Sequence, residues 1–217
     1  MLSGFERVTR MLRHDLRSPL QSINNAAQMM EVDPSTSAEM LTIIRDNVKY
    51  ILEVLDDLRT MTTVRALVKE PLEVDALIRR LMDRRILPDE IDVELRLQQG
   101  VKLQADDTKL TRVIDNLINN AVEAMPDGGE LLMRVSRDRQ SARIEVIDTG
   151  CGMSAEQLNK LFQAYYSTKM GGSGLGLSTT RRIITEHGGS ITVESEQGRG
   201  TRFIVDLPLA QAGSVRE

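Results

Sequence analysis

The hydrophobic period of this chain changes once, near residue 68, and the two sides call for different folds. Apolar residues first fall at Phe5, Val8, Leu12, Leu16, Leu20, Ile23, Ala27 and Met30, in steps of three and four. That is one face of a helix about thirty residues long. The breaker stretch VDPSTSAE follows, with Ser35 or Ser37 placed to cap a new helix. A second stripe then runs Met40, Ile44, Val48, Ile51, Leu55, Leu58 and Met61. The two helices predict a hairpin. In a lone hairpin each stripe has one partner, whereas two hairpins packed as a four-helix bundle bury what is left, so a homodimer is expected.

Beyond residue 68 the patterns shorten. IDVELRL, ELLMRVS, ARIEVID, GSITVES and TRFIVDLP carry the alternation or β-branched content of strands, bounded by Gly, Asp and Pro. Between them VDALIRRLMDRR, DTKLTRVIDNLINNAVEAM, SAEQLNKLF and GLSTTRRIITEH read as helices. Helices laid on a mostly antiparallel sheet make an α+β sandwich. The boundary falls where ALVKEP interrupts the stripe, which divides the chain into a helical hairpin at 1–67, an α+β domain at 68–210 and a tail at 211–217.

The net charge of −4 comes from 28 basic and 32 acidic residues spread along the chain. No basic stripe announces a nucleic acid, and no basic amphipathic helix or long apolar run announces membrane contact by this segment. A single cysteine, Cys151, allows no internal disulfide and fits the cytoplasm. The chain starts almost directly in a helix, so a sensor or membrane region is expected upstream.

Two glycine-rich stretches stand out. DTGCGM (148–153) follows a predicted strand, and GGSGLGLS (171–178) opens a predicted helix. Glycines at 172, 174 and 176 let backbone approach an anion, and the helix N-terminus adds N–H groups and a positive dipole end. Either motif alone also suits a pair of tight turns. A dinucleotide-binding reading lacks the leading βαβ unit, and no G-K-[ST] ending supports a P-loop. On the helix before them, Asn116 and Asn120 are four apart and share a face.

Taken in order, Asn120, DTGCGM, LFQAYYSTK, GGSGLGLS and GRGT resemble the successive boxes of the histidine-kinase type ATPase domain, shared with gyrase, the heat-shock protein of ninety kilodaltons and mismatch-repair ATPases. The resemblance implies the Bergerat-type fold and the binding of ATP with Mg2+. It implies that Asn120 holds the metal and that Asp148 accepts from the adenine amino group. Gly150, Gly152 and Thr201 would line the base site, with Asn116, Gly172, Gly174, Leu175 and Gly176 toward the phosphates. Lys169 would neutralise phosphate charge from a short lid at 163–171. Hydrolytic relatives carry a water-activating glutamate where this chain has Asn116, and an amide cannot act as a base. Such a site delivers phosphate to a protein group. Glu123 departs from the basic residue common at its position, and Cys151 is read as a small packing residue.

The receiving group is sought on the first helix. His14 lies two residues from both Leu12 and Leu16, about 200° around the helix from each, and so faces away from the stripe. It heads HDLRSPL (14–20), which resembles the phosphoacceptor box of dimerisation and histidine phosphotransfer domains. Asp15 is the carboxylate that would fix the imidazole tautomer as phosphorus is attacked. Ser18 shares the histidine's face but replaces the usual Thr or Asn. Pro19 removes a helical hydrogen bond just after the histidine, and a bend is expected there.

The resemblance identifies the catalytic core of a two-component sensor histidine kinase, which would phosphorylate itself on His14 and pass the phosphate to an aspartate of a response regulator receiver domain. Two alternatives are a protein serine kinase of the same ATPase fold and a regulator-docking scaffold without chemistry.

Overall fold

The computed structural model describes residues 4–62, 66–164, 166–167 and 174–210, with side chains from Leu16 onward except at 49, 53, 54 and 56–62. The chain divides into two compact units, one built on residues 1–64 with 165–175 and the other on 65–164 and 176–217.

The first unit is the expected hairpin. Helix α1 (Gly4–Val32) runs without interruption through Pro19, so the proline does not end it. Pro19 and Ala26 are buried while Leu20 and Ala27 are exposed. The inward face is therefore one position off the expected stripe at these two turns. Pro19 and Ala26 are a heptad apart, and their compact side chains let the second helix come close.

The connection also differs from expectation. Neither serine accepts a cap bond. The Asp33 side chain accepts from the Ser35 backbone N–H at 3.0 Å and from its hydroxyl at 2.6 Å, and the Ser37 hydroxyl donates to the Pro34 carbonyl. A 3-10 turn (Pro34–Thr36) then leads into α2 (Ser37–Thr62). An ionised carboxylate is the stronger acceptor for the exposed N–H groups at this start.

The second unit runs β1 (Glu70–Glu73), α3 (Val74–Asp83), β2 (Ile91–Leu97), β3 (Lys102–Ala105), α4 (Asp107–Glu123), β4 (Gly129–Arg137), β5 (Ser141–Asp148), α5 (Ala155–Lys160), α6 (Gly176–Glu186), β6 (Ser190–Glu196) and β7 (Gly200–Pro208). Five strands form one sheet in the order β2-β4-β5-β7-β6, parallel only between β2 and β4. This is the mostly antiparallel sheet expected. The pair β1-β3 forms a separate antiparallel ribbon that the sequence reading lacks, because KEPLE and KLQA are too short and too polar to show alternation.

Alternation aims Leu131, Met133 and Val135 of β4, Ala142, Ile144 and Val146 of β5, and Phe203, Val205 and Leu207 of β7 to one buried face. Against that core lies α4, which buries Leu110, Val113, Ile114, Leu117, Ile118 and Ala121 at helical spacing. Helix α6 adds Ile183 and Ile184. The other face of the sheet is mixed, with Ile204 buried on it among charged side chains. There Glu145 is buried between Arg134 and Arg202, and Arg202 also pairs with Glu194.

Two outcomes test this account. Leu117 is 1% exposed at the centre of the layer, so Leu117→Ala should cost about 2–5 kcal/mol in urea denaturation; a change within experimental error would contradict it. The Ser35 hydroxyl and backbone N–H hold the Asp33 carboxyl below the ordinary carboxylate range. Its contribution to the turn is complete above the pKa of an unfolded aspartate and is lost as pH falls through the lower folded value. A carboxyl NMR titration should place Asp33 below an aspartate in an unstructured peptide, and an ordinary midpoint would contradict the cap.

Candidate active site

Asp148 is the last inward-facing residue of β5, at the end of an apolar column, and is 4% exposed. A carboxylate in such a place needs donors, and two backbone groups supply them. Its Oδ1 accepts from the Gly150 N–H at 3.0 Å and from the Thr201 N–H at 3.1 Å. Thr201 is its cross-strand partner on β7 and is also buried.

The rest of the DTGCGM loop is pressed onto the β6–β7 hairpin. The Gly198 N–H donates to the Cys151 carbonyl at 2.8 Å. A Cβ on Gly152, whose φ is +61°, would collide with the Glu196 carbonyl, and one on Gly200, at φ +95°, would strike the Asp148 carbonyl. These two glycines are there for backbone contact. Ser195 completes the junction: its hydroxyl accepts from the Met153 N–H at 2.9 Å, meets the Gly200 carbonyl at 2.8 Å and lies 3.0 Å from the Thr201 hydroxyl. The depression at this end of the sheet, with Ile147, Glu194, Arg199 and Arg202 in its lining, opens on the face opposite α4, and Asp148 and Thr201 only border it. The Cys151 side chain is exposed, which corrects its reading as a packing residue; its backbone makes the contacts.

Helix α4 supplies the second part of the site. Residues 116, 120 and the helix C-cap at 124 lie on successive turns of one face. At one end the Asn116 carboxamide donates to the Thr180 hydroxyl of α6 at 3.0 Å. At the other the Ala124 carbonyl accepts from the Cys151 N–H at 2.9 Å. Asn120 is half-buried between them. The same helix is held on the neighbouring flank by Arg85, which reaches Asp115 at 2.7 Å and Asn119 at 2.6 Å.

Helix α6 begins at Gly176, preceded by Gly174 at φ +63° and the buried Leu175. Its first turn faces Asn116. The structure thus gathers Asp148, Gly150, Gly152 and Thr201 into one cluster and Asn116 with Gly176 into another, joined by α4. Lys169 and Gly172 lie outside the described residues. So do the side chains of His14 and Asp15, whose backbone is helical within α1; Ser18 is exposed one turn later. The other histidine, His187, is buried, accepts from the Asp106 N–H at Nε2 and contacts the Ile183 carbonyl through Nδ1. Its ring is used up in joining α6 to the start of α4.

Ser195, Thr180 and His187 are the polar residues that sequence reasoning missed. Ser195 falls in an ordinary strand alternation, and Thr180 follows the glycine motif as one of two threonines. Only the buried face of GLSTTRRIITEH, on which Thr179 and Thr180 sit with Ile183 and Ile184, gives a signal.

A buried acceptor at a strand end with a hydroxyl beside it, and a helix N-terminus linked to them through α4, form a donor and acceptor set suited to a nucleotide. Comparison with known proteins agrees. Residues 105–211 match the family described as histidine kinase-, DNA gyrase B- and HSP90-like ATPase, and residues 6–67 match the His Kinase A (phospho-acceptor) domain. Sporulation kinase C of Bacillus subtilis is 32% identical over 203 residues, covering 91% of this chain and 47% of that protein. Sensor histidine kinase ZraS of Escherichia coli is 29% identical, covering 90% and 44%. The chain therefore spans about half the length of these relatives. Among solved structures, the catalytic domain of histidine kinase ThkA is 30% identical with a TM-score of 0.59, covering 65% of this chain and 95% of that one. ThkA in complex with response regulator protein TrrA gives a TM-score of 0.79 at 26% identity, covering 96% and 63%. The chain belongs to the histidine kinases, with a helical phospho-acceptor region followed by an ATPase domain that uses ATP.

Proposed function

We propose that this chain phosphorylates itself on His14 at the expense of ATP and passes the phosphate to an aspartate of a response regulator receiver domain. The observation that carries the reading is the buried Asp148 carboxylate, held in one orientation by the Gly150 and Thr201 N–H groups. That carboxylate would accept from the adenine amino group, with Gly152 and Thr201 lining the base. Asn116, Gly174, Leu175 and Gly176 would serve the phosphate end, together with Gly172 and Lys169.

Mg2+ fits the residues present. Among the described residues no group of three or more His, Cys, Asp or Glu could hold a metal alone. A hard cation that takes most of its ligands from phosphate and water needs only an amide oxygen from the protein, and Asn120 would supply it. When bound, the metal neutralises charge on the leaving phosphates.

The unprotonated ring nitrogen of His14 would attack the terminal phosphorus. The P–N bond forms, the bond to the bridging oxygen breaks, and ADP leaves with the electron pair. Asp15, accepting from the other ring N–H, would hold the tautomer and stabilise the positive charge. Asn116 is an amide and cannot activate water, so transfer to the imidazole is favoured over hydrolysis. Ser18, with a hydroxyl on the same face, is assigned to orienting groups around the phosphohistidine.

The hairpin is proposed to dimerise as a four-helix bundle. Leu41, Val48, Leu52 and Leu55 of α2 remain 49%, 42%, 61% and 47% exposed in one copy, and a second hairpin would cover them. We divide the chain at 67/68 into hairpin and ATP domain, with 211–217 as a tail. No helix among the described residues is long and apolar enough to cross a membrane. With ATP as its substrate, we assign this segment to the cytoplasm, including as the inner part of a membrane-bound sensor. The response regulator partner is supported by the similarity to ThkA, solved with its regulator.

Incubation with Mg2+ and γ-labelled ATP tests the reading. Acid-labile label should appear and be lost in His14→Ala; acid-stable label would point to a serine kinase, and no label to a scaffold. Asn120→Ala should abolish labelling while sedimentation still reports a dimer, and a monomeric variant would show that this helix serves assembly.

A further inference from the structure

Thr180 is a buried hydroxyl with a specific partner. It lies on α6 at 1% exposure, and its Oγ1 accepts from the Asn116 Nδ2 at 3.0 Å. The Asn116 carboxamide also covers Gly176, four residues earlier on the same helix. A Cβ built on Gly176 would collide with Oδ1, and would come within 3.1 Å of Cγ and 3.3 Å of Nδ2. The flat amide is thus laid along the first turn of α6, with Gly176 beneath it and Thr180 fixing its rotation.

We propose that Thr180 is a positioning residue of the nucleotide site, its hydroxyl holding the Asn116 carboxamide against Gly176 and so setting the spacing between α4 and the N-terminal turn of α6. The inference rests on the nucleotide reading above. Helix α4 carries Asn120 and α6 opens with the glycine-flanked N–H groups, so the two ends of the phosphate subsite sit on different helices. A bond between them fixes their separation before any ligand arrives. The direction of the bond matters as well. With Nδ2 committed to Thr180, the amide oxygen is the atom turned toward Gly176.

The base cluster is held separately. Asp148, Gly150, Ser195 and Thr201 bond to one another and not to Thr180. Loss of the Thr180 hydroxyl should therefore harm phosphate recognition and spare the base. A merely structural role would weaken both together.

The test uses the whole chain and three forms: wild type, Thr180→Val, which keeps the shape but removes the acceptor, and Thr180→Ser, which restores a hydroxyl. Calorimetric titration with Mg·ADP and NMR titration with adenosine give the two affinities. Thr180→Val should weaken Mg·ADP about tenfold, as a half-buried amide donor left without its acceptor implies. Adenosine binding should stay within about twofold, and Thr180→Ser should recover most of the loss. Unchanged Mg·ADP binding in Thr180→Val, equal weakening of both ligands, or no recovery in Thr180→Ser would overturn the proposal. A wild type that binds no Mg·ADP would overturn it too. Tight Mg·ADP binding without label on His14 would defeat the kinase reading alone and leave this comparison intact.

Discussion

One buried carboxylate organises the second half of this chain. Asp148 ends an inward-facing column of β5, where an ionised group without donors would be costly. Its Oδ1 draws the Gly150 and Thr201 N–H groups onto itself, and that choice dictates the local backbone. The loop must turn back on the strand it leaves, the β6–β7 hairpin must come within contact, and only glycine fits at 152 and 200, where carbonyl oxygens press on the Cα positions. Ser195 then satisfies the Met153 N–H that this turn would otherwise strand. A charged group is thereby kept at the edge of an apolar layer in a fixed orientation, as recognition requires.

Helix α4 extends that order from the DTGCGM loop to the start of α6. Its turns at 116 and 124 meet α6 and the DTGCGM loop, with Asn120 half-buried between them. On the neighbouring flank Arg85 ties the helix to the end of α3, and at its start Asp106 caps it and is itself held by His187. The helix is fixed at both ends and on both flanks. Its apolar face packs on the sheet, so the asparagines are carried on a rigid support.

Much of this was legible from residue order. The helices and the five strands of the main sheet follow their hydrophobic periods closely, because each is one half-buried layer with a clear inside. The clustering of Asp148 with Thr201, and of Asn116 with Gly176, was legible only through the family's motif order. What escaped has physical causes. A capping serine was expected where Asp33 does the capping, since several polar residues compete within VDPSTS. Leu20 and Ala27 were placed inside where Pro19 and Ala26 are, because a hydrophobicity pattern ranks leucine above the compact residues that close packing selects. The β1-β3 ribbon is too short to alternate. Ser195, Thr180 and His187 act through single hydrogen bonds to distant backbone or side chains, and local sequence carries no trace of such partners.

The central claim, that Asp148 is held as an acceptor for the adenine amino group, is tested most directly by comparing ADP with inosine diphosphate, which has a carbonyl where adenine has its amino group. Wild type should prefer ADP by roughly 10- to 100-fold, the worth of a hydrogen bond to a charged acceptor. Asp148→Asn keeps an oxygen for Gly150 and Thr201 but turns a donor toward the base, so the preference should collapse or invert. Equal affinity of the wild type for the two nucleotides, or a variant that still prefers ADP as strongly, would contradict the account.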